Sequence, residues 1–514
     1  MTVHYFYPYD NKTGNPYIKS RVPAALSAVR GFLLSPFFMM LSAFVASLCS
    51  LLGTEYTMVG IVINAELFGL ALLLCDDFAA ALMPFLSIMC QGATLFEHWD
   101  VILGYLIPWG ILPAFGFVFH LIVYRKSARV GLSGFGVAVT GCAVLLGGFG
   151  VISPYTPFES MAGAFYYFGL SFGLFFLYLL FASNYKRIKD YDVYEHFLWA
   201  MLFTGLICSV IILKTFSVYM GQEIDFVGFR IATTFRNSLG NVMIMGLPAP
   251  FYFACKHGRS FFGKIFPFLL GLLVFFSLCL TTSRTAVVCG MILLLLCLIY
   301  YFRYAHSMAA KIVNALILLG FLAGFAAVFT LLVDIFELGE LIGQIKNGTA
   351  VNELIYSYRA RMILFTEAAD EFCEHPLFGI GLLHDNQYSY FFETQMGCIL
   401  WFHSYFPQVW ASFGAVGCAA YAFHLGLRAR LVRKCSDKRS WAIALVALSL
   451  FLYSMTDPGE FMPIPFGMMA VLAFVLLERR MEASPEYLWK TPKITFIWKN
   501  YKKSQKSIDK PKKI

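Results

Sequence analysis

FFGKIFPFLLGLLVFFSLCLTTSRTAVVCGMILLLLCLIYYF, residues 261–302, is two apolar runs divided by a short polar patch, Thr281-Thr282-Ser283-Arg284. Each run is about 20 residues long, enough to cross roughly 30 Å of hydrocarbon as a helix. A membrane barrel would need alternating segments of about ten residues, and these runs are continuous. The whole chain follows the same pattern. It is 59% hydrophobic and 13% charged over 514 residues, where a soluble domain carries about 25% charged residues. The expected fold is an all-α polytopic membrane protein.

Runs of this kind predict about fourteen spans (12–14), at 31–52, 57–75, 78–96, 101–124, 130–151, 161–183, 195–215, 238–255, 261–281, 285–303, 312–333, 405–427, 440–456 and 461–477. The organisation that follows is a basic cytosolic tail at 1–30 and transmembrane helices over 31–333. A large, partly helical extracytoplasmic loop occupies 334–404, three more spans lie in 405–477, and a lysine-rich cytosolic tail fills 478–514. The apolar run after the first thirty residues is too long for a signal-peptide core, so a retained first helix is expected.

A net charge of +9 raises the question of nucleic-acid binding. The positive-inside rule accounts for it better and excludes a nucleic-acid partner. With both termini in the cytosol, most of the Lys and Arg fall on the cytosolic side, including the RARLVRKCSDKR loop at 428–439. The Cys75-Asp76-Asp77 turn is the exception, being cytosolic without a basic residue. The 13 cysteines are mostly scattered singly, with no C-x-x-C motif, which argues against a zinc or redox centre.

Lys214, Arg230, Arg236, Arg284, Lys346, Arg359 and Arg361 remain on the opposite face. Arginine there runs against the topological bias and marks candidates for function; the plainer reading is a snorkelling or salt-bridged helix end. In the 334–404 loop, YRARMILFTEAADEFCEHP places Met362, Phe365, Ala369 and Phe372 at helical spacing, with Pro376 as the stop. An amphipathic surface helix is expected, with Arg361 at its start, where free backbone N–H groups would favour an anion. Cys373 and Cys398 share this loop, and whether they pair is open.

His403 stands just before the 405–427 span. A histidine that titrates near neutral pH can take a proton from a hydroxyl, and arginine forks bind phosphate oxygens and stay charged. Together they suit attack of a sugar hydroxyl on an activated carbon with departure of a pyrophosphate. Gly414 and Gly417, on one helical face, are expected to let a neighbouring helix come close and hold His403. A metal site built from His375, His384, Asp385 and His403 is rejected, because their spacing matches no ligand pattern.

These residues resemble the bacterial O-antigen ligase and O-antigen polymerase superfamily. His403-Ser404, nine residues, then Gly414-Ala-Val-Gly417 looks like its signature. HPLFGIG (375–381), preceded by Arg361 through Phe365, is similar to the family's R-x-x-x-W…P-L-x-G-x-G segment, with Phe365 where tryptophan is common. TTSRTA (281–286) is similar to its S-R-x-x segment. FRIATTFRNSLGN (229–241) resembles R-x-T-G-T-F-x-N-P-N, but it lacks the glycine and Ser238-Leu239 replaces P-N; position favours Arg230 over Arg236.

The resemblance implies a metal-independent, inverting glycosyltransferase without a cofactor, in the cytoplasmic (inner) membrane. Its donor would be an undecaprenyl-pyrophosphate-linked glycan, and its acceptor a hydroxyl on a glycan, lipid or protein. The pathway would be that of O-antigen or capsular polysaccharide. By that analogy His403 activates the acceptor, and Arg284, Arg361 and Arg230, or Arg236, hold the pyrophosphate. Glu393 is an alternative base, and Asp457-Glu460 a weaker one. The competing class is a transporter or flippase for polysaccharide or lipid-linked solutes, which should show internal repeats and broken, charged mid-membrane helices. A non-catalytic scaffold ranks third.

Overall fold

The computed structural model describes residues 24–94, 108–124, 130–147, 161–184, 192–220, 236–256, 260–281, 283–335, 351–384, 398–399, 402–457 and 459–482. Arg230 and Glu393 lie outside these residues, and the side chains of Arg236 and Arg284 lie outside the described part of their helices.

The fold is all-helical. Among the described residues the one strand pairing is a two-residue antiparallel ladder, Leu383 opposite Ile399 and His384 opposite Cys398. Helices stand where spans are expected. Seven are long and apolar enough to cross a membrane: Thr54–Leu74, Phe165–Ser183, Val193–Val218, Phe262–Leu280, Thr285–Tyr304, Met308–Ala326 and Tyr405–Arg433. Others, such as Pro36–Leu52 and Leu132–Gly147, are apolar but shorter, so helix length alone does not establish fourteen crossings.

Helix contacts use small residues where backbones meet. A Cβ on Gly246 would lie 2.7 Å from the Cα of Gly205, which lets the Arg236–Gly246 helix press against Val193–Met220. In an apolar solvent, close packing and interhelical hydrogen bonds replace the hydrophobic effect as the source of association. Ser42, whose hydroxyl donates to Asn64 Oδ1 at 2.7 Å and lies 3.0 Å from Ser87 Oγ, ties three N-terminal helices together in this way.

The Tyr405–Arg433 helix is broken. Gly414 has φ 60° and ψ −156°, a conformation open mainly to glycine. The break frees backbone groups that would otherwise close the helix, and residues 376–381 take their place. The N–H groups of Ile380 and Gly381 donate to the carbonyls of Ala411 and Ser412 at 2.9 and 3.0 Å. The N–H groups of Ala415 and Val416 donate to the carbonyls of Pro376 and Leu377 at 2.8 and 3.2 Å. Gly379 and Gly381 make this insertion possible with φ of 72° and 91°. The HPLFGIG stretch is therefore a plug in a broken helix. This gives Gly414 and Gly417 roles other than the expected helix-to-helix approach. Gly414 admits the backbone of Leu377 and Phe378, and Gly417 makes room for Phe413 of its own helix.

The amphipathic helix is present but begins earlier than expected, at Val351, and ends at Glu374 just before Pro376. Arg361 therefore sits in its interior, not at its N-terminus, and the free N–H groups proposed for that position are absent. Leu364 and Ala368 are buried with Ile380, Phe402 and Ala411, whereas Met362 and Phe365 are exposed. Phe365 meets the Trp410 ring edge-to-face at 5.3 Å. Cys373 is a free, exposed thiol.

Arg428 departs from its expected place in a basic loop. It is 7% exposed and paired with Glu460, so it belongs to the interior.

Candidate active site

His403 is held by its neighbours. Phe402 on one side is buried under the Val351–Glu374 helix, and its N–H donates to Gln408 Oε1 at 3.0 Å. Gln408 in turn donates to Ser412 Oγ at 3.0 Å. Tyr405, two residues on, is buried against Phe461 and Tyr421. Between these anchors His403 adopts φ 49°, the left-handed region, alone among the described non-glycine residues. Such strain costs about 1–3 kcal/mol and persists where surrounding structure imposes it.

The imidazole meets a carboxylate. His403 Nδ1 lies 3.4 Å from Asp457 Oδ1, with side chains 28% and 10% exposed. A carboxylate at Nδ1 favours the tautomer with its proton there, which leaves Nε2 free as a base. The contact is longer than a tight hydrogen bond.

Asp457 connects onward. The Tyr453 hydroxyl lies 3.1 Å from Asp457 Oδ2 and donates to the Asn237 carbonyl at 2.6 Å. Asn237 Oδ1 accepts from Ser283 Oγ at 2.7 Å. Ser283 caps the Arg284–Tyr304 helix, its hydroxyl accepting from the N–H of Ala286 at 3.4 Å. Arg361 reaches the same helix start, Nη2 donating to Thr285 Oγ1 at 3.4 Å.

Three distant parts of the chain thus converge. Arg284 opens a helix whose N-terminal dipole favours an anion, Arg361 joins it there, and a chain of polar contacts leads from it to Asp457 and His403. Arg236 opens the Arg236–Gly246 helix directly before Asn237. Glu460 does not join His403, because Arg428 engages it. Lys214 donates to the carbonyl of Ser50 at 2.6 Å, a packing role. Among the described residues, Glu371, Glu374 and His375 bring possible metal-ligand atoms within 4.8 Å of one another, on the amphipathic helix and its end.

The sequence alone ranks Asp457 low and gives no role to Tyr453, while Asn237 and Thr285 stand without a role inside the 229–241 and 281–286 segments. The signal for Asp457 is an acidic residue in a turn between apolar spans.

The arrangement defines a class: a polytopic helical membrane protein with a histidine–aspartate pair connected to an arginine-marked helix start. Residues 269–422 match the family model described as O-Antigen ligase. That segment, less than half of the chain, contains Arg284, Arg361, His403, Gly414 and Gly417, and its similarity to that family supports the O-antigen ligase and polymerase resemblance. The match supports an activity of the ligase or polymerase type at a membrane. Asp457, Tyr453 and Asn237 lie beyond the matched segment. No curated protein matches the chain.

Proposed function

We propose that the protein transfers a glycan from an undecaprenyl-pyrophosphate carrier to an acceptor hydroxyl at the extracytoplasmic face of the cytoplasmic membrane. His403 Nε2 takes the proton of the acceptor hydroxyl. The hydroxyl oxygen forms a bond to the anomeric carbon as the bond from that carbon to the pyrophosphate oxygen breaks. One displacement inverts the centre. Asp457 holds the Nδ1 proton and balances the imidazolium that forms. Arg284 and Arg361, with Arg230 or Arg236, neutralise the departing diphosphate without a metal ion.

The observation that carries this reading is the pairing of His403 with Asp457 on a network that ends where Arg361 meets the Arg284 helix start. The test is glycan analysis in the native host with His403→Ala and Arg361→Ala, beside Arg187→Ala as a control, at matched membrane levels. Accumulation of carrier-linked single repeat units in the first two variants would identify a polymerase. Carrier-linked long chains would identify a ligase. Normal surface glycan in all three variants would overturn the reading and favour a transporter.

A further inference from the structure

Arg428 and Glu460 form an ion pair that this chemistry does not use. Arg428 Nη1 lies 2.5 Å from Glu460 Oε2, and both side chains are under 10% exposed, at 9% and 8%. The guanidinium also lies 4.7 Å from the ring centre of Phe474. The pair is incompletely satisfied by protein. Arg428 Nε, Glu460 Oε1 and the neighbouring His424 Nδ1 are buried without a protein partner. With Tyr405 and Tyr421 these side chains border a cavity of about 30 Å³, room for a water molecule.

Such a pair is a poor source of stability. Desolvation offsets most of its attraction, and apolar residues of the same volume often do better. Its placement suggests another use. Arg428 lies on the helix that begins two residues after His403. Glu460 follows Asp457 by three residues in a tight turn. In that turn Asp457 N–H donates to the Tyr453 carbonyl at 3.1 Å, Glu460 N–H to Ser454 Oγ at 2.9 Å, and Met462 N–H to the Gly459 carbonyl at 3.0 Å. The turn is fastened near one end through Tyr453 and Asp457, and near the other through Glu460 and Arg428. The arginine fork fixes direction as well as charge.

We propose that the Arg428–Glu460 pair is a positioning device that holds the 455–462 turn so that the Asp457 carboxylate stays against His403. Neither residue touches the reacting atoms, and the proposal rests on the roles given above to His403 and Asp457. A loosened turn leaves the donor site intact and disorders the base, so it lowers turnover and spares donor binding.

The test uses the full chain in proteoliposomes, with carrier-linked glycan extracted from the native host as donor. The variants are the double substitution Arg428→Met/Glu460→Gln, the single Arg428→Lys, and His403→Ala as reference. Rates are expressed per folded molecule, and amide hydrogen exchange is followed along the chain. The double variant is expected to fold and to lose about tenfold or more in kcat, with donor KM within about twofold of the parent. Exchange protection should fall at 455–462 and not elsewhere. Arg428→Lys should lie between the two, and it carries the same readouts if the double variant does not accumulate. Parental kcat with unchanged protection at 455–462 would overturn the proposal, as would protection lost evenly along the chain. If His403→Ala transfers normally, the functional reading fails, while exchange at 455–462 still reports whether the pair holds the turn. If His403→Ala is inactive and the pair variants are normal, only this inference fails.

Discussion

His403 Nδ1 lies 3.4 Å from Asp457 Oδ1, an interaction between residues separated by two helices in the chain. In the proposed mechanism the carboxylate sets the tautomer of the ring and leaves Nε2 for the acceptor. Asp457→Asn should keep the shape of the site and lose that control. Transfer is expected to fall by about 10²- to 10⁴-fold with donor KM little changed, as judged by steady-state transfer in proteoliposomes.

Arg361 shares the start of the Arg284–Tyr304 helix through Thr285. Its loss should weaken donor binding. A hydrogen bond to a charged group contributes about 1.5–3 kcal/mol, so Arg361→Ala is expected to raise donor KM by about 10- to 100-fold. Arg361→Lys should restore little, because an ammonium lacks the planar fork. Donor titrations of the two variants check this.

Gly414 is held by geometry and by space. A Cβ there would lie 2.5 Å from the carbonyl carbon of Leu377, at φ 60°. Gly414→Ala is expected to lower stability by at least about 1–3 kcal/mol and to loosen the 376–381 plug. Gly426, on the same helix, has no atom within 4 Å of its would-be Cβ. Gly426→Ala should be neutral or add up to about 1 kcal/mol. Thermal unfolding in detergent separates the two.

Glu367, on the amphipathic helix, has its carboxyl pushed above the ordinary value of 4.5 by burial, and further by Glu371 and Asp370. The folded state then holds the proton at a pH where the unfolded chain has released it. Stability attributable to this group is present below 4.5 and declines as pH rises through the raised value. Glu367→Gln should remove that decline and leave the protein more stable at neutral pH. Melting temperature against pH, for parent and variant, gives the sign directly.

The Tyr453 hydroxyl donates to the Asn237 carbonyl and lies 3.1 Å from Asp457 Oδ2. Tyr453→Phe should leave the fold intact, cut turnover by about tenfold through the loss of Asp457 alignment, and leave Arg361→Ala with its own separate effect on KM. A double-variant cycle on kcat and KM distinguishes the two contributions.

Much of this molecule is legible along one dimension. Apolar runs near 20 residues specify helices in a bilayer because hydrocarbon leaves the backbone no other partner. The amphipathic helix at Val351–Glu374 could be read from the spacing of its second half, although its start could not. The broken helix was only half legible. His403 and the glycines stood out as a pattern, but their reason is the insertion of 376–381 into the gap at Gly414, which depends on two segments meeting.

By itself, then, the sequence determined a polytopic helical membrane protein, a set of arginines and a histidine on the face that topology keeps poor in positive charge, and a likeness to a family of glycan-transferring enzymes. Tertiary structure alone decided the partners of that histidine. Tyr453 bonds Asn237 across 216 positions, and Arg361 bonds Thr285 across 76. No local period carries such pairs, because helix packing, not chain order, determines which polar ends share a site. The same holds for Arg428. Its charge looks like one more cytosolic marker in the chain, and only burial against Glu460 reveals an interior ion pair beneath the Asp457 turn.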